Sequence, residues 1–414
     1  MPANSLTREG AEALDASDEL AFLREEFALP PGIVYLDGNS LGALPRAAAA
    51  RVREVVDREW GESLVRSWNT HGWIELPARV AALLAPLIGA AADEVAVADS
   101  TSVNLFKLLA GALRLRPGRS VILSEQENFP TDLYVAQGLS ALLDGVSLRL
   151  VPRAGLGKAL DESVAVLMLT HVDFRTGTLH DMSEWTRAAH RVGALALWDL
   201  AHSAGALPVD LAGCEADLAV GCGYKYLNGG PGAPAFAFVA GRHQDGFETP
   251  LAGWMGHAEP FAFDPRYRAA AGIARLLCGT PPILSLAALE CGVETISRAG
   301  IARLRRKSLA LTDLFIRLVE QKCPGADLGL ASPREAERRG SQVALCHPEG
   351  HAIVQALIAR GVIADFRTPD VLRFGFAPAY LRFSDVWDAV AALRAVMEQR
   401  EWERPEHAAR AKVT

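Results

Sequence analysis

Between Ala194 and Tyr226 the chain carries two short apolar runs, each ending in polar and glycine-rich turns. The first, Ala194-Leu-Ala-Leu-Trp198, has the length and flanks of a strand buried on both faces, and Asp199 stands at its carboxyl end. The second, Leu218-Ala-Val220, leads into Gly221-Cys-Gly-Tyr-Lys-Tyr226. Strands buried on both faces belong to parallel sheets covered by helices, and such sheets bind ligands outside the carboxyl ends of their strands. An acid ending one strand and a lysine just past another therefore face one crevice.

Each residue also has an ordinary reading. An Asp after a strand commonly caps a turn or helix, and a Lys in a glycine-rich loop is commonly solvated. Taken together, Asp199 and Lys225 suit pyridoxal phosphate. A lysine amine condenses with the aldehyde, and a carboxylate keeps the pyridine nitrogen protonated so that the ring accepts electrons.

The surrounding pattern supports such a sheet. Strand-like runs at 94–98, 121–123 and 164–170 alternate with helical patterns at 103–113 and 182–191, which predicts right-handed crossovers and a mostly parallel sheet with helices on both faces. Upstream, 45–60 and 74–88 read as helices, with Pro45 near the first turn. Residues 240–282 form a long irregular segment of the kind that is functional or interfacial in compact domains. Two helices follow over 285–321, broken near Gly300; the basic turn Arg303, Arg305, Arg306 and Lys307 reads as a solvated face. Residues 343–399 read strand, helix, strand, strand, helix, and the segment up to Ala28 reads as a loose charged helix lying on the surface or on a partner. The expected division is a large domain over 46–285 and a smaller α+β domain formed from 1–45 and 286–414.

Several polar clusters fall at strand ends. Asp99-Ser-Thr-Ser102 opens a helix; its hydroxyls either cap it or, with Thr101 and Ser102, bind a phosphate at the positive helix end. Asn128-Phe-Pro-Thr-Asp132 starts another helix after a buried strand. Asp37-Gly-Asn-Ser40 is a dense turn signal. Ser67-Trp-Asn-Thr-His-Gly-Trp73 either staples a loop or offers His71 and Trp73 to an aromatic substrate. Arg373, within an apolar run, is either half of a structural ion pair or a fork for a carboxylate.

Trp198-Asp-Leu-Ala-His-Ser-Ala-Gly205, Gly223-Tyr-Lys-Tyr-Leu-Asn-Gly-Gly-Pro-Gly232 and Tyr35-Leu-Asp-Gly-Asn-Ser-Leu-Gly42 resemble kynureninases, pyridoxal phosphate enzymes of the aspartate-aminotransferase fold. The likeness runs from about Tyr35 to Phe383. It implies hydrolysis of L-kynurenine to anthranilate and L-alanine in tryptophan degradation and NAD precursor metabolism, and leaves the preference for 3-hydroxykynurenine open. It also implies cofactor contacts from Thr101, Ser102, Phe129, Pro130, Thr131, Asp132, Thr170, Asp199, His202, Tyr224 and Lys225. Lys225, Tyr224 and Asp132 take the catalytic roles, and Arg373, His71, Trp73, Asn39 and Ser40 face substrate. Trp254 and Thr280 reach the neighbouring subunit's site in a homodimer. The alternative of the same fold, a cysteine desulfurase or selenocysteine lyase, needs a mobile nucleophilic cysteine, for which Cys346 is the one candidate.

Composition narrows the rest. A 414-residue chain with 50% hydrophobic residues buries a large core, and a net charge of −7 without a basic block argues against nucleic acid. The acidic residues 1–26 lack the apolar centre of a secretory signal, and no apolar run reaches the roughly 18 residues that span a bilayer. Six cysteines without a C-x-x-C pair indicate neither zinc nor a disulfide framework, so a reducing cytoplasm is expected.

Overall fold

A computed structural model of the chain describes residues 7–410. The amino-terminal part contains α1 (Arg8–Ala16), β1 (Val34–Tyr35), α2 (Arg46–Glu54), α3 (Ser67–Thr70) and α4 (Leu76–Leu84). The central part runs β2 (Val95–Val97), α5 (Thr101–Leu115), β3 (Val121–Glu125), α6 (Pro130–Leu142), β4 (Ser147–Val151), α7 (Leu156–Ala159), β5 (Val164–Thr170), α8 (Met182–Arg191), β6 (Leu195–Asp199), β7 (Leu218–Gly221) and β8 (Phe236–Val239). After α9 (Gly241–Gln244) come α10 (Ile283–Ala299), α11 (Ile301–Lys322), β9 (Gly329–Leu330), β10 (Gln342–Cys346), α12 (Gly350–Ala359), β11 (Val362–Ile363), β12 (Asp365–Arg367), β13 (Val371–Gly375) and α13 (Phe383–Glu398).

Seven strands form the main sheet in the order β2-β8-β7-β6-β5-β3-β4. All run parallel except β8, which pairs antiparallel with both neighbours. Alternation along the strands splits the core. Val166, Met168, Leu195, Leu197, Leu218 and Val220 pack with Leu105, Leu108 and Leu109 of α5 and Leu133 and Leu139 of α6. Leu167, Leu169, Ala196, Trp198 and Ala219 face the other way, toward Val80 and Leu84 of α4 and Leu286, Leu289 and Val293 of α10. Each such aliphatic side chain contributes roughly 1.5–3 kcal/mol by leaving water.

A second sheet, β12-β13-β10-β9, is antiparallel throughout, and β1 pairs with β11 beside it. Between β8 and α10 lies the irregular segment seen in the sequence, with only α9 and short 3₁₀ turns.

Three local readings are corrected. The segment before Ala28 is not a loose surface helix: Leu20, Leu23 and Phe27 are buried, and Asp15 accepts the Phe383 and Ser384 N–H groups, capping α13. The basic turn of α11 is only partly a solvated face: Arg306 is exposed, but Lys307 is buried against Asp18 at 2.7 Å and Arg305 donates to the Ala336, Arg339 and Gly340 carbonyls. Both corrections come from partners distant in sequence. The helix expected over 45–60 leaves α geometry at Val55 and continues as a π-helix to Ser63.

Candidate active site

The carboxyl ends of β2, β3, β5, β6 and β7 open on one edge of the main sheet, around a cavity of about 230 Å³. It is lined by Thr101, Ser102, Phe129, Thr131, Asp132, Thr170, Val172, Phe174, Asp199, Ala201, His202, Tyr224 and Lys225. Ten of these were expected from the sequence. Thr101 and Ser102 begin α5 behind the N-cap Ser100, whose hydroxyl accepts the Val103 N–H at 3.3 Å. The first-turn N–H groups and dipole of a 15-residue helix thus point at the cavity, the arrangement that binds a phosphate. Asp99 is held there at φ 52° by a 2.5 Å ion pair with the fully buried Lys107, which also donates to Leu276 O.

Across the cavity Asp132 and Asp199 are both almost fully buried. Burial, and then the Asp199 charge, push Asp132 well above the usual carboxylate range; burial also raises Asp199, against the opposing pull of Lys225. Asp199 Oδ1 accepts the Ala201 N–H at 2.7 Å. Asp132 Oδ2 is buried without a hydrogen-bond partner. An unpartnered buried carboxylate oxygen calls for a donor, and a pyridinium N–H is a donor of fitting charge. Lys225 Nζ makes no hydrogen bond or ion pair among the described residues and stands 5.9 Å from the ring centroids of Phe129 and of Tyr224. Phe129 meets Phe174 edge to face at 5.2 Å.

Arg373, Asn39 and Ser40 lie behind this cavity, in a buried network. Arg373 binds Asp365 with both edges of its fork, takes Ser40 Oγ at 2.8 Å and donates to Phe174 O at 2.7 Å. Burial pushes Asp365 up, but the hydrogen bond and charge of Arg373 hold it below the usual range; burial and then Asp365 push Asp37 up to about 7. Asn39 lies 3.3 Å from Gln342 Oε1. Arg373 is thus a structural ion pair with one guanidinium N–H left over.

Six further candidates do not line this chain's cavity. Trp73 is buried and donates to Glu59 Oε2 at 2.6 Å, while His71 meets Ser63 Oγ at 3.0 Å, so in the single chain both staple the Ser67–Trp73 turn. Trp254 is exposed beside Phe261, and Thr280 is exposed. Pro130 starts α6 between Phe129 and Thr131 without lining the cavity. Cys346 ends β10 paired with Val371 and Gly329, and burial raises its thiol, the opposite of a mobile thiolate.

Sequence reasoning missed Val172, Phe174 and Gln342. Phe174 sits in a turn after β5 whose signal, Asp173 with Gly177, was legible: Asp173 Oδ1 accepts the N–H groups of Arg175 and Thr176. Gln342 had no local signal.

Fold and site together define a pyridoxal phosphate-dependent enzyme of the aspartate-aminotransferase fold. The apo cysteine desulfurase from Thermococcus onnurineus NA1 superposes with a TM-score of 0.79, covering 92% of this chain and 98% of that one; at 20% identity this likeness concerns the fold alone. The family model described as the kynureninase C-terminal domain matches residues 304–393. A kynureninase of Burkholderia mallei (strain SAVP1) is 59% identical, and one of Pseudomonas fluorescens 54% identical, each over 414 residues spanning 99% of this chain and 100% of the relative. The chain belongs to the kynureninase family.

Proposed function

We propose that the chain hydrolyses the Cβ–Cγ bond of L-kynurenine, giving anthranilate and L-alanine, as a pyridoxal phosphate-dependent hydrolase acting on a carbon–carbon bond. Membership of the kynureninase family carries this reading. When bound, pyridoxal phosphate supplies an aldehyde for the substrate amine and a sink for electrons from the bonds at the α-carbon. Thr101, Ser102 and the first turn of α5 would hold the phosphate, Phe129 would supply an aromatic contact to the ring, and Asp132 and Asp199 would favour a protonated pyridine nitrogen. Lys225, without a hydrogen-bond or ion-pair partner among the described residues, would hold the aldehyde and move the α-proton; water supplies the oxygen that turns the side-chain carbonyl carbon into the leaving carboxylate, and Tyr224 beside Lys225 would relay a proton to Cβ. Arg373 would offer its remaining N–H to the α-carboxylate. Thr131, Thr170 and His202 complete the lining, and Asn39 and Ser40 support Arg373 from behind.

The same reading makes the protein a homodimer in which Trp254 and Thr280 serve the neighbouring subunit's site. Exposed apolar side chains support it: Trp60, Leu64, Val65, Trp254, Phe261 and Phe263 lie open to solvent in this chain. The same reading divides the chain into a large unit over 46–285 and a small one from 1–45 and 286–414, with α10 running across the division. Six free cysteines fit the cytoplasm, and no helix among the described residues is long and apolar enough to cross a membrane.

Adding kynurenine to the holoenzyme should produce anthranilate fluorescence, unchanged in Cys346→Ala. Sulfide release from cysteine that disappears in Cys346→Ala, with no anthranilate from kynurenine, would move the assignment to a desulfurase.

A further inference from the structure

Gln342 is fully buried at the start of β10, in the second sheet, yet its side chain crosses to the main sheet's site. Its Nε2 donates to two backbone carbonyls, Asp173 O at 3.2 Å and Phe174 O at 3.1 Å. Carbonyl oxygens only accept, so these contacts settle which end of the amide is nitrogen. Oε1 then faces His202 Nδ1 at 3.0 Å. An amide oxygen also only accepts, so Nδ1 must carry the hydrogen. The crossing depends on Gly177, at φ +72°, where an added Cβ would come within 2.7 Å of Gln342 Cγ.

We propose that Gln342 is a positioning residue that locks His202 in its Nδ1–H tautomer, presenting Nε2 to the cavity as a hydrogen-bond acceptor, and that the same amide fixes the turn carrying Phe174. Nε2 has no hydrogen-bond partner among the described residues, and His202 lines the cavity. The imidazole stays neutral because burial disfavours its charged form, and because the cations Lys225 and Arg373, with Arg367 farther off, face it. An acceptor at this place pairs with a hydroxyl or amine of the bound cofactor or substrate; an imidazolium, or the other tautomer, would offer a donor instead. One side chain of the second sheet thereby sets both the polarity of one cavity wall and the position of Phe174, the ring packed edge to face on Phe129.

The tautomer stands on geometry alone, and only its catalytic consequence rests on the proposed reaction. Neutron diffraction from deuterium-exchanged holoenzyme crystals should show deuterium on His202 Nδ1 and none on Nε2. Deuterium on Nε2, alone or together with Nδ1, would overturn the proposal whatever the reaction proves to be. In Gln342→Glu the new carboxylate should hold a second proton on the imidazole, adding to the visible cofactor band a titration step above about pH 6.5 that the parent lacks. Superimposable pH profiles in a folded, cofactor-loaded Gln342→Glu protein would count equally against it. Should that variant fail to fold, the neutron result on the parent protein still decides.

Discussion

Two buried charge clusters lie back to back in this molecule and differ in one respect. Around Arg373, Asp365 and Ser40 nearly every donor and acceptor is matched within the protein. Around Lys225, Asp132 and Asp199 the amine is free and one carboxylate oxygen is orphaned. Leaving buried polar groups unmatched costs about 1–3 kcal/mol each, so such groups persist where a ligand completes them. The open cluster is therefore the chemical one, and the closed cluster is the frame that holds it.

Substitutions that test this contrast should have graded effects. Lys225→Ala should abolish the borohydride-trapped pyridoxyl adduct that mass spectrometry of the parent is expected to place at Lys225, and lower kcat/KM by more than about 10⁴-fold, beyond what a lost acid–base group alone explains. An adduct at Lys107 or Lys158 would break the comparison, since Lys107 is already bound to Asp99 and Leu276 O. Asp199→Asn should still bind cofactor while kcat falls about 10³-fold, the scale of losing a preorganised charge; near-normal turnover would show that Asp132 suffices.

Arg373→Lys keeps the charge but loses the fork. A lost hydrogen bond to a charged group is worth about 1.5–3 kcal/mol, so KM for kynurenine should rise about 10–100-fold with the cofactor spectrum unchanged. An unchanged KM would make Arg373 purely structural. The smallest effect is expected at His171, buried against Trp198 and pushed down to about 3 by burial and then by His180. Because the folded value lies below the unfolded one, the neutral ring contributes stability that is complete above about pH 6.5 and is lost as pH falls toward 3. His171→Phe should flatten the fall in thermal midpoint between about pH 6.5 and 4. Parallel curves for the two proteins would remove His171 from the account.

Local chemistry made much of this legible. Apolar runs ending in Asp199 and Thr170, hydroxyls opening α5 and the glycine-rich turn holding Lys225 each encode their place within a few residues, because strand burial, helix capping and turn geometry are short-range. The antiparallel course of β8 was not encoded in this way. An apolar run such as Ala235-Phe-Ala-Phe-Val239 reads the same in either direction, and its pairing depends on the path of the chain before it.

The sequence by itself determined the alternating α/β order, the strand-end acid and lysine, and the family's motifs, all of which arise from contiguous residues. Only the tertiary structure decided that Arg373 is closed by Asp365 and Ser40, that Lys307 is buried on Asp18, that Trp73 turns inward to Glu59, and that Gln342 spans both sheets to His202. A buried polar side chain takes whichever partner the packed chain brings to it, and in these cases, Trp73 apart, that partner comes from a different element or a distant part of the chain.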